Sequence, residues 1–450
     1  MIVKVAIGLL CVATLGVGRV DAAEMNVPDF ESLGRSLTEQ LAARQFEQIV
    51  AHFDETMTSA MTAAKLSAVW DGLIEQVGAF RSIEGAHIQD VQGFKVVLIT
   101  SRFEKTTLDA KWVFDSKGRV TGFFLVLSQP EAAWSPPKYA TLSRFHERPV
   151  TVGTGRWQLA GTLTVPNGDG PFPAVVLVHG SGPQDQDEAV GPNKPFKDVA
   201  WGLASRNIVV LRYNKRTLQY AKDLKAAVAG LTVNEETVGD ARAAIALLLE
   251  QPEVAPKRIF VLGHSLGGML GPRIAQGDAH VAGLIIMAGT TRPIEKVVVE
   301  QLRYIASLDG TISATEEEQI AAAERTAKEI ESPTLAAGAT VNLLGTPIPG
   351  SYFLDLRDYH APEVARQLNT PMLILQAERD YQVTMEDFDG WKKALTGDPR
   401  VTFRLYPGLF HLFMPSNTIG TGLGSPADYE KPGHVSEAVI RDIASWVSVH

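Results

Sequence analysis

Residues 258–268 read Arg258-Ile259-Phe260-Val261-Leu262-Gly263-His264-Ser265-Leu266-Gly267-Gly268. The first part is an apolar run of strand character, and residues 268–274 have helical character. Between them stands Gly-x-Ser-x-Gly, the pattern of a sharp strand-to-helix turn. Glycines flank the serine there because side chains would collide with neighbouring backbone. Such a turn lifts the Ser265 hydroxyl above a sheet and aims the N-terminus of the next helix at it. The pentapeptide alone is a weak signal, since Gly and Ser are common. Its place between a strand and a helix makes Ser265 the candidate nucleophile.

Working outward, residues 174–178 are a continuous apolar run, as a strand buried on both faces requires, and 207–211, 283–287 and 372–375 read as further strands. Residues 150–152 and 157–165 read as an opening hairpin, and 401–406 as the last strand. A helix is expected over 234–250, with Asn234 as its N-cap. Strands alternating with helices define an α/β class with a mostly parallel central sheet flanked by helices. Residues 291–367 break this rhythm. They are helical and charged through Glu316-Glu317-Glu318, a solvated helix face, then rich in Gly and Pro around 345–350. They are expected to form a helical cap over the C-terminal sheet edge. Tyr352, Phe353 and Tyr359 either line an apolar acyl pocket there or simply pack the cap.

A serine hydroxyl is a weak nucleophile at neutral pH and needs a base, which in turn needs an orienting acid. On an elbow of this kind the chain order is Ser, then Asp or Glu, then His. Asp380 follows the strand 372–375 on a loop at the edge where ligands bind in open α/β sheets. Glu378 is the competing carboxylate, and Asp387 and Asp389 fall in the following helix. His411 follows the final strand, where the base should emerge; His434, with no preceding strand, is the alternative. Negative charge developing on a carbonyl oxygen is best met by backbone N–H groups. Leu266 is one expected donor. The second comes from the loop His179-Gly180-Ser181-Gly182-Pro183, with Ser181 N–H preferred and Gly182 next; the His179 side chain organises the loop. Asp185 and Asp187 are read as solvated loop acids rather than a cation site, and no metal or organic cofactor is expected.

Ahead of this region, residues 29–80 carry helical periodicity, with Phe30, Leu33, Leu37 and Leu41 at three- and four-residue steps. From 85 onward the pattern is that of strands, at 94–100, 107–114 and 120–127, so 27–128 form a small α+β domain. Residues 129–141, rich in proline, are the expected linker, and 142–450 form the main domain. Lys4 and the apolar run behind it, with Ala22 and Ala23, read as a signal peptide over 1–23, with a retained anchor as the rival; the run is short for a bilayer, so no stable membrane span is expected in the mature form. Cys11 is the only cysteine of the 450 residues, so a processed chain has no thiol chemistry. The net charge of −9 comes from acidic and basic residues mixed along the chain, with no basic stripe, which argues against a nucleic-acid partner.

The loop at 179–183, the elbow at 263–267 and Glu378-Arg379-Asp380-Tyr381-Gln382-Val383 together resemble the α/β-hydrolase superfamily. They are similar to a bacterial branch of secreted or envelope esterases that carries a small N-terminal domain of unknown function. That branch includes thermophilic esterases preferring short acyl esters, and relatives labelled S9- or S33-type peptidase-like hydrolases. One departure is visible: Asn214-Lys215-Arg216 stands where relatives have Asp-Lys-Arg, which puts in doubt any salt bridge made by that Asp. The resemblance implies an exported, periplasmic or extracellular serine carboxylic ester hydrolase acting on small-molecule esters without a cofactor. In it Ser265 attacks, His411 takes the proton, and Asp380 holds the imidazole. The same residues are open to a peptidase or amidase, an envelope acyltransferase, or a binding module with a vestigial site. Homo-oligomerisation is left open.

Overall fold

The computed structural model describes residues 29–450 apart from 92–93, 116, 128–133, 227–229, 345 and 419–421. The expected signal peptide and Cys11 lie outside the described residues. The chain divides into two compact units, Met1–Glu131 and Ala132–His450.

The first unit has helices α1 (Phe30–Ala42), α2 (Phe46–Val50), α3 (Glu55–Ala60) and α4 (Ala63–Val77), then strands β1 (Phe80–Val91), β2 (Phe94–Phe103), β3 (Thr107–Phe114) and β4 (Val120–Leu127). Asp29 caps α1 by accepting from Ser32 N at 3.1 Å, and the buried side chains Leu37 and Leu41 set its inner face. The strands form an antiparallel meander in chain order. Gly34 lets α1 lie close on it, since a Cβ there would come 2.8 Å from Val97 Cγ1. Trp112, wholly buried, donates its indole N–H to Thr38 Oγ1 at 2.8 Å. The meander starts at Phe80 rather than at Gly85.

The second unit is built on eight strands: β5 (Phe145–Val152), β6 (Leu159–Pro166), β7 (Phe172–Val178), β8 (Val209–Tyr213), β9 (Val254–His264), β10 (Val281–Met287), and, beyond the inserted cap, the seventh (Met372–Ala377) and eighth (Val401–Tyr406). Helices α5 (Pro195–Ala204), α6 (Arg216–Gln219), α7 (Ala221–Ala226), α8 (Gly239–Leu249) and α9 (Leu266–Ala275) connect the first six. The cap comprises α10 (Ile294–Ser307), α11 (Ala314–Glu331), the hairpin β11 (Thr340–Leu343) and β12 (Thr346–Pro349), then α12 (Gly350–Arg357) and α13 (Ala361–Gln367). The last two sheet strands are therefore β13 and β14, followed by α14 (Met385–Leu395) and α15 (Glu437–Val449) respectively.

The sheet order is β14-β13-β10-β9-β7-β8-β6-β5, with β5 and β6 antiparallel to their neighbours and the rest parallel. Alternate residues of each strand face opposite layers. Ala174, Val176 and Val178 pack toward α8 and α9, while Val175 and Leu177 pack toward α5 and α15. Strand β7 leads to β8 on one side and β9 leads to β10 on the other. Their adjacent C-terminal ends therefore form the switch point at which open α/β sheets bind ligands.

Four expectations are corrected. The cap is not wholly helical, because its Gly- and Pro-rich stretch pairs as the β11–β12 hairpin. Within it, Glu316 is more than a solvated face: it forms a capping box with Ser313, whose N–H donates to Glu316 Oε2 at 2.8 Å. Asn234 is not an N-cap; it begins a π-helical turn, Asn234–Val238, that runs straight into α8. Part of the expected linker is built into the second unit, where Trp134 Nε1 donates to Asp198 Oδ1 at 3.0 Å and Tyr139 OH donates to Val435 O at 2.8 Å.

Candidate active site

Ser265 joins β9 to α9 with φ 53° and ψ −116°, a conformation that side chains rarely adopt. The glycines around it make the turn sterically obligatory. A Cβ on Gly263 would lie 2.1 Å from Gly267 O, and one on Gly267 would lie 2.3 Å from Val178 O. Ser265 N donates to Met287 O at 2.9 Å, which ties the elbow to β10. Leu266 N heads α9 and has no acceptor among the described residues.

The loop after β7 lies directly against the elbow, for a Cβ on Gly180 would come 3.2 Å from Ser265 Cβ. Gly180 N donates to Glu188 Oε1 at 2.7 Å and Gly180 O accepts from Lys215 Nζ at 2.8 Å. The N–H groups of Ser181 and Gly182 have no acceptor among the described residues. His179 faces away, its Nε2 3.0 Å from Asp185 O. Burial, aided by the charges of Lys215 and His264, pulls its pKa down to about 4. It is thus a neutral donor that organises the loop.

Asp380 follows β13 and is fully buried. Its Oδ1 accepts from Gln382 N at 2.8 Å and Val383 N at 2.9 Å, and its Oδ2 lies 2.6 Å from His411 Nδ1. This arrangement leaves His411 Nε2 as the free ring nitrogen. Ser265 and His411 line one cavity of about 300 Å³, together with Gly180, Ser181, Glu188, Leu412, Tyr381 and Tyr429 among others. Ser265 Oγ makes no hydrogen bond to His411 in this structure; unliganded sites often hold such contacts loose.

The alternatives weighed in the sequence have other partners. Glu378 Oε2 accepts from Gly408 N at 3.0 Å. Asp387 is buried and binds Thr290, Thr291 and Arg292, and Asp389 sits on the outside of α14, 3.8 Å from Lys392. His434 Nδ1 lies 3.1 Å from Asp198, away from Ser265's cavity. Asp187 is not solvated, since it pairs with the buried Arg212 and with Lys194. Asp185 Oδ1 accepts from Asp187 N and Ala189 N. Asn214 makes no salt bridge; its Oδ1 accepts from Gln186 N at 3.0 Å.

The expected acyl-pocket residues are placed elsewhere. Phe353 and Tyr359 line a separate cavity of about 250 Å³ between the cap and Met269, and Ser265 is not on it. Tyr359 OH donates to Met269 O at 2.7 Å, and Tyr352 OH donates to Glu236 Oε2 at 2.7 Å. The aromatic wall beside Ser265 is instead Tyr381 and Tyr429, joined through Gln382 Nε2, which donates to Tyr429 OH. Tyr304 of α10 stacks on Tyr381 at 5.5 Å and donates its OH to Gly424 O at 2.9 Å. Burial and the charge of Asp380 push the Tyr381 phenol up to about 12, so it stays protonated.

Sequence reasoning also missed Glu188 and the role of His264. His264 Nε2 donates to His411 O at 3.1 Å, and its ring lies 4.5 Å from that of His411. Only the position of His264 inside the elbow could have drawn attention to it. Glu188 carries no local signal, because its side chain joins the loop after β7 to the elbow, at Gly180 and His264.

An eight-stranded, mostly parallel sheet with an elbow serine at its switch point is the α/β-hydrolase fold. Residues 171–416 match the family described as serine aminopeptidase, S33, and the chain belongs to that family. Residues 35–123 match a family described as a protein of unknown function, DUF3887. The chain is 37% identical over 409 residues to Esterase EstD of Thermotoga maritima, covering 91% of this chain and 93% of that one. The protein is accordingly a carboxylesterase-like hydrolase. Among solved structures it is similar to Est1E from Butyrivibrio proteoclasticus, at 14% identity and a TM-score of 0.44, covering 67% of this chain and 99% of that one. It is also similar to the esterase domain of a Rhodothermus marinus protein, at 18% identity and a TM-score of 0.40, covering 67% and 97%.

Proposed function

We propose that the protein is an exported serine carboxylic ester hydrolase acting on short- to medium-chain esters through Ser265, His411 and Asp380. The observation that carries this reading is the opening of Ser265 and His411 into one cavity while Asp380 holds Nδ1 of the imidazole. Ser265 Oγ attacks the ester carbonyl as His411 Nε2 takes its proton. The oxyanion is received by Leu266 N–H and Ser181 N–H; Ser181 lines the cavity and Gly182 does not, which favours Ser181. Collapse of the adduct releases the alcohol, protonated by His411. Water, activated by the same imidazole, then attacks the acyl-enzyme to free the acid and restore Ser265.

The cavity's size and its lining by Tyr381, Tyr429, Leu412 and Val190 suit a small acyl group. An aminopeptide would bring an α-ammonium needing a carboxylate. Among the described lining residues the only one is Glu188, which is committed to Gly180 N and His264. Esters are therefore favoured over aminopeptides. The test compares p-nitrophenyl acetate, butyrate and octanoate with aminoacyl-anilides, using Ser265→Ala and fluorophosphonate labelling as controls. Ester cleavage that vanishes with Ser265 is expected; faster anilide cleavage, or a Ser265 that does not label, overturns the reading. Export predicts that the mature chain recovered from the cell envelope lacks residues 1–23, which N-terminal sequencing reads directly.

A further inference from the structure

We propose that Lys215 is the positioning residue of the oxyanion hole, holding the Gly180 carbonyl so that the Ser181 N–H at the other end of that peptide is aimed at the reacting carbonyl oxygen. The inference rests on the reading above, in which Ser181 N–H is an oxyanion donor.

In a trans peptide the C=O and the following N–H point in opposite directions within one plane. Anchoring Gly180 O therefore sets the direction of Ser181 N. The anchor is Lys215 Nζ, 2.8 Å away and buried. It matters because Gly180, which has no Cβ, restricts the rotation of that peptide less than any other residue would. The hydrogen bond from Lys215 Nζ holds the carbonyl of that peptide away from the alternative orientation. The preceding peptide is held separately, by Glu188 on Gly180 N. Both sides of Gly180 are thus clamped by buried charged side chains.

The lysine is itself held rigidly. Its backbone N donates to Gln184 O at 2.9 Å, in the same loop. Its Nζ lies 3.0 Å from Glu236 Oε1, and Glu236 Oε2 accepts from Tyr352 OH at 2.7 Å. Glu236 reaches this point from the π-helical turn ahead of α8, an irregularity that recurs at functional sites. Desolvating such a pair is costly, and stability alone does not account for its presence. Orientation of a catalytic peptide does. The ammonium also polarises that peptide, which strengthens its N–H as a donor.

The experiment measures Lys215→Met, Lys215→Gln and the paired Lys215→Met/Glu236→Gln in the full chain. The paired variant is included because Lys215→Met alone leaves Glu236 as an unpartnered buried carboxylate. With p-nitrophenyl butyrate, kcat should fall about ten- to a hundredfold, less than the roughly 10²–10³ for outright loss of an oxyanion donor, while KM stays within about twofold. Affinity for a trifluoromethyl ketone, whose adduct with Ser265 carries the oxyanion, should weaken by the same factor as kcat/KM. Lys215→Gln, which retains a neutral donor, should recover part of kcat. A merely structural role would instead raise KM and lower Tm without this split. Unchanged kcat and ketone affinity in a folded paired variant overturn the proposal. If Ser265→Ala keeps the activity, the underlying reading fails instead. Should the lysine variants not fold, Tyr352→Phe, which frees one oxygen of Glu236, must lower kcat at least about twofold at constant KM; an unchanged kcat is equally fatal.

Discussion

His264 Nδ1 lies 2.9 Å from Glu188 Oε2, with both side chains buried beside Ser265. The geometry is off the ideal hydrogen-bond line, so charge does more than the hydrogen bond to couple them. Burial opposes the charge on each, yet their attraction prevails: Glu188 titrates below its ordinary 4.5 and His264 above its ordinary 6.5. Glu188 also holds Gly180 N, and His264 holds His411 O, so the pair links the loop after β7 to the loop that carries His411.

That linkage has a pH signature. The Glu188 contribution to stability is full above 4.5 and is lost as pH falls through its lowered pKa. The His264 contribution is full below 6.5 and is lost as pH rises through its raised pKa. A double-mutant cycle of Glu188→Gln and His264→Gln, read from urea unfolding, should give a coupling of about 0.5–3 kcal/mol, largest between those two values. A coupling that does not vary with pH would falsify the ion-pair description.

His179 acts in the opposite sense. Its folded pKa is depressed from 6.5 to about 4, so in that interval the unfolded chain binds a proton that the folded chain does not. Stability should therefore fall on acidification across this window, by at most about 3 kcal/mol from this residue. His179→Gln retains a donor for Asp185 O and should flatten that part of the stability–pH curve. An unaltered slope in denaturant titrations rules the effect out.

The elbow glycines differ sharply from the loop glycine. Gly267→Ala drives a Cβ against Val178 O, backbone that has nowhere to go, and should cost about 3 kcal/mol or more. Gly182→Ala meets only the strain of its positive φ, about 1–2 kcal/mol. Thermal unfolding of the two variants should rank them in that order.

Asp380→Asn preserves shape but turns a carboxylate that accepts the His411 Nδ1–H into a group able to select the wrong tautomer. A fall in kcat of about 10⁴ with KM little changed is expected. A loss below about tenfold would remove Asp380 from the catalytic assignment.

Tyr381→Ala should shift substrate preference rather than abolish activity, because the ring walls the cavity beside Ser265. The ratio of kcat/KM for octanoate over butyrate should rise by about tenfold, at a stability cost of about 3 kcal/mol. Tyr359→Ala, at the other cavity, should leave that ratio alone.

How far the sequence could be read follows from the range of each interaction. Ser265 was legible because part of the elbow's constraint is local: Gly263 is excluded from bearing a side chain by Gly267 and Gly268 within the turn itself, although Gly267 is excluded by the backbone of β7. Asp380 and His411 were legible because a strand's end announces the loop that carries them. Glu188, Lys215 and Tyr429 were not, since each acquires its role from chain far away, as when Lys215 reaches Gly180 across 35 residues. Which of the two readings of the cap aromatics holds was open for the same reason. An apolar ring declares that it will be buried, not which cavity it will face.

The sequence by itself determined the α/β class, the elbow and the order of the candidate acid and base, because backbone sterics and strand periodicity are written in adjacent residues. Only the tertiary structure decided which side chain holds the Gly180 carbonyl and which aromatics wall the cavity at Ser265. It also paired His264 with Glu188. Those outcomes depend on buried charges and rings meeting across the switch point between β7 and β9, and no local pattern encodes that meeting.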